Sequence, residues 1–304
     1  MANYNKESNF VYDFILAGIA AAIGKTATAP LERVKLLLQN QHSIKVIEKP
    51  YTGIADCMRR LIKVEGFFSL WRGNVANVIR YFPNQAMNFA LKDTIKKSFG
   101  TYDPKTQFWK FAIANCLAGG IASSISLIFC HPIDLIRTRL ALDNKNKIGE
   151  RKFTGSIDCL VKIYNAEGIN GVYKGMVISV VGIFTFRAVY FGFYDTLKGI
   201  FIKKDTNFFI KWAVAQSITV LSSAMFYPLD TLRRRMMLQS GESVPIYKNS
   251  IDCAKKIMRE EHFKGFYKGW GTNAIKMCGS SIILVLYDEF QKALGLEARG
   301  GIKE

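Results

Sequence analysis

Pro30-Leu31-Glu32-Arg33-Val34-Lys35, Pro132-Ile133-Asp134-Leu135-Ile136-Arg137 and Pro228-Leu229-Asp230-Thr231-Leu232-Arg233 are three renderings of one pattern, proline-x-acid-x-x-base. Downstream of each comes a second shared element: Tyr51-Thr52-Gly53, Phe153-Thr154-Gly155 or Tyr247-Lys248-Asn249, followed by Cys57, Cys159 or Cys253. A third is Trp71-Arg72-Gly73, Tyr173-Lys174-Gly175 or Tyr267-Lys268-Gly269, and each unit closes on an acid, Asp93, Asp195 or Asp288. The offsets are 102 residues and then 93 to 96. Four features aligned three times define an internal repeat, with units at 1–104, 105–204 and 205–304.

The apolar stretches flanking these motifs point to a membrane. Residues 111–130 and 212–229 contain no charged side chain, and a bilayer core needs ~20 residues of helix. Residues 11–24, 75–91, 176–194 and 272–287 are apolar apart from isolated charges. The repeat makes them the partners of the first two. The predicted fold is an all-α membrane protein with six tilted transmembrane helices in three helix-loop-helix repeats. Met1–Phe10 is short and polar, which predicts no cleaved leader.

Charge has a side. The 304-residue chain carries 42 Lys+Arg against 24 Asp+Glu, a net +18, and 25 of those basic residues fall in loops 33–72, 133–175 and 229–269. The positive-inside rule places all three loops on one face of the membrane. Within the first, Ile54, Cys57, Met58, Leu61, Ile62 and Val64 are spaced for one face of a helix lying on the bilayer edge.

The basic balance calls for an anionic partner. Nucleic acid is disfavoured, since no aromatic-basic RNA motif or helix-turn-helix context is present. Gly24-Lys25-Thr26 imitates the end of a phosphate-binding loop, but Ile19 stands where that loop needs glycine and a helix precedes it. No C-x-x-C or Cys/His cluster suggests a metal. No nucleophile, base and orienting group suggest an enzyme.

Basic residues inside a span cost roughly 2.5 kcal/mol or more at the bilayer centre, so Lys25, Arg80, Arg187 and Lys276 are expected to face a shared polar cavity. Proline in a helix interior removes one backbone hydrogen bond, which predicts breaks near Pro30, Pro132 and Pro228. The acid and base that follow lie three residues apart on one face. Three converging helices would pair Glu32–Arg137, Asp134–Arg233 and Asp230–Lys35, closing one end of the cavity. A second ring, Asp93–Lys198, Asp288–Lys96 and Asp195–Gln291, would close the other end. Two gates opened in turn are what alternating access requires.

These motifs resemble those of the mitochondrial carrier family over nearly the whole chain. Arg233-Arg234-Arg235-Met236-Met237 is similar to the hallmark of the ADP/ATP carriers within it, and Lys25-Thr26-Ala27, Arg80-Tyr81-Phe82-Pro83 and Leu286-Tyr287-Asp288-Glu289 agree. The resemblance implies a three-fold pseudosymmetric, multi-pass barrel in the mitochondrial inner membrane that exchanges ADP for ATP, with the basic loops facing the matrix. It implies no cofactor, with cardiolipin as bound lipid at Gly53, Gly73, Gly155, Gly175 and Gly269, where helix-start N–H groups can hold phosphate. Substrate contacts carry over to Lys25, Arg80, Gly182, Ile183, Phe186, Phe226 and Lys276, and Arg234 is a further candidate cation. Phe186 stands where the family has tyrosine, Phe226 replaces a serine and Lys276 an arginine. Asn249 and His262 occupy positions that are usually glycine. Those departures leave room for two alternatives: a carrier of another nucleotide-like anion, or a carrier fold recruited as a structural subunit of an inner-membrane respiratory-chain assembly.

Overall fold

The computed structural model describes residues 2–44, 47, 49–98, 107–144, 151–201, 208–242 and 244–278. All regular structure among the described residues is helical. The first repeat holds α1 (Ala2–Asn40), α2 (Ile54–Glu65), α3 (Asn74–Ile79) and α4 (Tyr81–Ser98), with short 3-10 turns at Gln41–Ser43 and Phe67–Trp71. The second holds α5 (Phe108–Leu142), α6 (Ser156–Val172) and α7 (Met176–Phe201). The third holds α8 (Phe208–Leu238), α9 (Ser250–Glu260), α10 (His262–Phe266) and α11, residues 270–278. Each unit is thus a long helix, a short one and the start of another long one. Among the described residues, Trp109–Leu142 is the one unbent helix long and apolar enough to cross a membrane by composition, at mean hydropathy 1.8.

The three proline-bearing helices do not break. α1, α5 and α8 run through Pro30, Pro132 and Pro228, contrary to the sequence expectation. Proline at position i leaves the carbonyl at i−4 without its helical donor. In the first two repeats that carbonyl finds another. Trp71 Nε1 donates to Thr26 O at 2.8 Å, and Tyr173 Oη donates to Ile128 O at 3.1 Å. In these two repeats the aromatic of the aromatic-basic-glycine motif therefore serves the proline of its own repeat. In the third repeat Tyr267 instead stacks on Tyr227, with centroids 6.2 Å apart.

The glycines of the same motif fix how adjacent repeats meet. Gly73, Gly175 and Gly269 have φ of 82°, 87° and 82°, a region that disfavours any residue with a Cβ. A Cβ at Gly73 would lie 3.0 Å from Arg137 O, at Gly175 3.2 Å from Arg233 O, and at Gly269 2.9 Å from Lys35 O. Each repeat thus presses its glycine onto the carbonyl of the next repeat's motif base, and the third returns to the first. α1, α5 and α8 also contact one another pairwise.

Three apolar clusters fill the short-helix layer. One gathers Val34, Leu37, Cys57, Leu61 and Leu70, the second Leu135, Phe153, Cys159 and Ile163, and the third Met236, Tyr247, Cys253 and Ile257. The repeated cysteine is fully buried in each. Burial pushes the Cys57, Cys159 and Cys253 thiols up to about 12, so they pack as small apolar groups and not as nucleophiles. On α2, Cys57 and Leu61 turn inward, whereas Ile62 and Val64 are exposed.

His262 has φ of 57°, where the other repeats have Gly66 at 89° and Gly168 at 64°. A non-glycine residue held there costs on the order of 1–3 kcal/mol. His262→Gly is expected to raise the apparent Tm of the purified protein by roughly 2–4 °C after the added freedom of the unfolded glycine is counted. A melt showing no gain would mean that the histidine side chain offsets its own backbone cost.

Candidate functional site

The acids and bases of the proline motif meet across the helices. Lys35 Nζ lies 2.9 Å from Asp230 Oδ2, Arg137 pairs with Glu32, and Arg233 pairs with Asp134. Each bond joins two repeats, so the three close a ring through α1, α5 and α8. All six side chains are substantially buried, and Asp134 is 1% exposed.

Around this ring the carboxylates are shared further. Glu32 also accepts from Lys276 Nζ at 3.1 Å and from Asn77 Nδ2 at 3.1 Å. Asp134 has Arg80 Nη1 at 3.5 Å and Arg234 Nη1 at 3.9 Å. Asp230 has Arg234 Nε at 3.4 Å and accepts from Gln39 Nε2 at 3.3 Å. Gln39 also donates to Thr231 Oγ1 at 2.9 Å, and Arg234 donates to Thr138 Oγ1 at 2.6 Å. Lys25 lies within Coulomb range of Glu32 and Arg80, with its ammonium 5.3 Å from the Tyr81 ring centroid. A buried ion pair is retained only where further hydrogen bonds satisfy its remaining valences; Gln39, Asn77 and Thr138 supply these. None of the three was singled out from the sequence. Gln39 carries a possible signal, standing nine residues after Pro30 on the Glu32/Lys35 helix, whereas Asn77 shows its role only through contact.

A cavity of about 610 Å³ opens above the ring. Its lining combines the cations Lys35, Arg187, Arg233, Arg234 and Lys276, the polar Ser123, Ser223, Asp230 and Asn273, and, from α7 and α8, Gly182, Ile183, Phe186, Tyr190 and Phe226. Phe186 stacks against Tyr190 at 6.0 Å and meets Phe226 edge-on at 6.0 Å. Arg187 donates to Ser123 Oγ at 2.7 Å. Of the substrate candidates read from the sequence, Gly182, Ile183, Phe186, Arg234 and Lys276 line this cavity. Lys25 and Arg80 are not among the lining residues: Arg80 meets the ring at Asp134, and the Lys25 ammonium lies over the Tyr81 ring.

Of the second predicted ring, Asp93 and Lys96 belong to α4 and Asp195 and Lys198 to α7, but their side chains lie outside what the structure describes, as do Asp288 and Gln291 entirely. Gly53 and Gly155 stand at the starts of α2 and α6, each with open space where a Cβ would point. Asn249 starts α9 and accepts from Asp252 N at 2.8 Å with its own side chain.

A ring of interhelical ion pairs at one end of a cavity lined by cations is the architecture of a solute carrier. The family model described as mitochondrial carrier protein matches this chain three times, over residues 6–103, 108–205 and 204–297, and the chain belongs to that family. It is 51% identical over 290 residues to ADP/ATP translocase 2 of Bos taurus, covering 93% of this chain and 97% of that one. It is 50% identical to ADP/ATP translocase 3 of Homo sapiens, covering 94% and 98%. The ADP,ATP carrier protein of Parachlorella kessleri is 47% identical, covering 97% and 88%.

The shared carboxylates make a test of coupling direct. Asp230→Asn strands Lys35, and breaking a buried pair costs about 3–5 kcal/mol, so the apparent Tm is expected to fall by roughly 5 °C or more. The Lys35→Gln/Asp230→Asn double variant is expected to lose less than the two single losses combined, by about 1–3 kcal/mol. Strict additivity in the double-mutant cycle would show that the two side chains are not coupled.

Proposed function

We propose that this chain exchanges ADP for ATP across the mitochondrial inner membrane by alternating access. Repeats 1–104, 105–204 and 205–304 form one transmembrane domain of six tilted helices, with the basic short-helix layer facing the matrix. The observation that carries the reading is the charge balance at the site. Among the described residues, Lys25, Lys35, Arg80, Arg137, Arg187, Arg233, Arg234 and Lys276 gather around only Glu32, Asp134 and Asp230. That leaves five positive charges in excess, which suits a polyphosphate carrying several negative charges. The names of the relatives at about half identity support the choice of nucleotide.

The same sharing suggests how substrate opens the gate. Lys276, Arg80 and Arg234 each bind a ring carboxylate as a second partner. A polyphosphate entering from the cavity competes for these cations, because charge-assisted hydrogen bonds to phosphate are strong and arginine makes two at once. Each cation it captures is withdrawn from Glu32, Asp134 or Asp230, and those carboxylates lose part of what fixes them. The matrix ring then opens while the opposite ring of Asp93, Lys96, Asp195, Lys198, Asp288 and Gln291 closes.

Uptake of labelled ADP into ATP-loaded liposomes containing the purified protein measures this. Exchange is expected with the native sequence, to fall at least about a hundredfold in Arg80→Ala, and to rise a few-fold in Lys276→Arg, whose fork replaces a point charge. Native protein that takes up no nucleotide, unaided by Lys276→Arg, would favour the structural-subunit reading.

Cardiolipin is the lipid we place at the repeat junctions. At Gly53 and Gly155 no side chain caps the helix start and the space beside the glycine is open, whereas Asn249 occupies one helix-start N–H with its own carboxamide. Gly73, Gly175 and Gly269 stand across the same junctions. The first two sites are therefore expected to hold the lipid more firmly than the third. Stabilisation by added cardiolipin, read as a Tm shift, should increase in Asn249→Gly by about 1–3 °C. An unchanged or smaller shift would put the weak site elsewhere.

A further inference from the structure

Around the short-helix layer the three repeats are joined by different chemistry. Between the first and second, Arg72 pairs with Asp143 at 2.7 Å and Arg151 with Glu65 at 3.0 Å. Between the second and third, Glu242 takes both Arg139 at 2.8 Å and Lys152 at 2.7 Å. Between the third and first, the turn after α1 makes the contacts. Ser43 Oγ meets Tyr247 Oη at 2.9 Å. His42 Nε2 is bonded to Lys268 Nζ, with Glu261 3.9 Å away. A lysine ammonium has only donors, so the imidazole accepts, and its neutral form is the one with a lone pair to do so. Guanidinium and ammonium pairs keep their charge near neutral pH, whereas an imidazole changes its own. Lys268 also bears on the gate. Its carbonyl accepts from Tyr227 Oη at 3.0 Å, and the next residue, Gly269, rests on the carbonyl of Lys35, the base of the Lys35–Asp230 pair.

We infer that His42 is a pH-sensitive latch on the third-to-first junction: its protonation releases Lys268 and loosens the segment that seats the Lys35–Asp230 pair, so acid on the short-helix side favours opening at that corner of the ring. Protonation turns Nε2 from acceptor to donor and sets a second positive charge beside the ammonium. The charged groups facing His42 are Glu260 at the end of α9, Glu261 at the head of α10, Arg235 on α8 and Lys268. The carboxylates favour the imidazolium and the cations oppose it, but Glu261 is already held by Arg235 and by Lys268 at 2.8 Å. Burial is the largest influence and also opposes the charge, so the imidazole titrates below its ordinary value while the junction is closed. A proton therefore binds more readily once the junction parts. The latch holds above about pH 6.5 and is lost as pH falls further. The side chain is 36% exposed, which admits the proton from solvent. The latch requires only that this junction opens, whatever solute is carried.

The repeated cysteines report on each repeat separately. Cys253 is buried in the third cluster with Tyr247 and Phe266, and Cys159 in the second. Both thiols are pushed up to about 12, so the intrinsic pH dependence of their alkylation cancels in a ratio. Purified protein is treated with N-ethylmaleimide at about pH 8 and about pH 5.5, on either side of the ordinary imidazole range, and labelling at each cysteine is read by peptide mass spectrometry. From the higher pH to the lower, the Cys253-to-Cys159 ratio of native protein is expected to rise about fivefold, the equivalent of one lost hydrogen bond. In His42→Gln, whose carboxamide oxygen accepts from Lys268 at either pH, the ratio should stay level with His131 and His262 still in place. In His42→Arg, charged throughout, it should already be high at the higher pH. A native ratio that does not move, one that rises equally in His42→Gln, or a folded His42→Arg whose ratio stays low would overturn the inference. Should the arginine variant fail to fold, the native and glutamine profiles decide it.

Discussion

Glu32, Asp134 and Asp230 are each held by more cations than they can neutralise. The surplus is what gives the site its character. Carboxylates this deeply buried are stable only when opposite charges and hydrogen-bond donors surround them. The donors come from other segments of the chain: α3 through Asn77, the first repeat through Gln39, α11 through Lys276. Three acids therefore tie all three repeats together and leave positive charge facing the cavity. In the proposed function the ring and the substrate site share side chains, so an anion bound in the cavity would act on the ring.

That arrangement depends on backbone geometry. The ion pairs can form only if α1, α5 and α8 approach at their motif ends. Gly73, Gly175 and Gly269 permit this by accepting a carbonyl of the next repeat where a side chain would otherwise stand. The buried arginines beneath reinforce the same junctions. Arg33 donates to Ala141 O at 3.1 Å and pairs with Glu65 at 2.8 Å, while Arg139 bonds Leu238 O and pairs with Glu242 at 2.8 Å. Side chains of one repeat are thus satisfied by the backbone of the next, which makes the repeats poor candidates for independent folding.

Much of this was legible because the chain repeats itself. Three copies of proline-x-acid-x-x-base supply their own internal control, and a three-residue spacing fixes which side chains share a face. The pairing of Glu32 with Arg137 across 105 positions follows from that once the three helices are taken to converge. What was not legible depends on contacts between unlike segments. Nothing in the sequence near Pro30 says that Trp71 will serve the carbonyl of Thr26, so a break was expected where a continuous helix stands. Phe226 was visible as a departure from the family, but its position over Gly182 required the packing of α7 on α8. The second ring of acids and bases falls on side chains outside the described residues.

The tryptophan and tyrosine that serve the proline carbonyls carry a mechanical implication. An ordinary helical turn is held by its own strand of bonds, so bending it means damaging the helix itself. In α1 and α5 the bond at the weak turn is lent by a neighbouring segment, the turn at Phe67–Trp71 or the residues before Gly175. Such a bond can be surrendered and remade without unwinding any residue. Flexure at Pro30 and Pro132 is thereby geared to the displacement of the short-helix layer. The third repeat, where Tyr267 stacks on Tyr227 instead, is geared differently, so three helices related by pseudosymmetry need not swing by equal amounts.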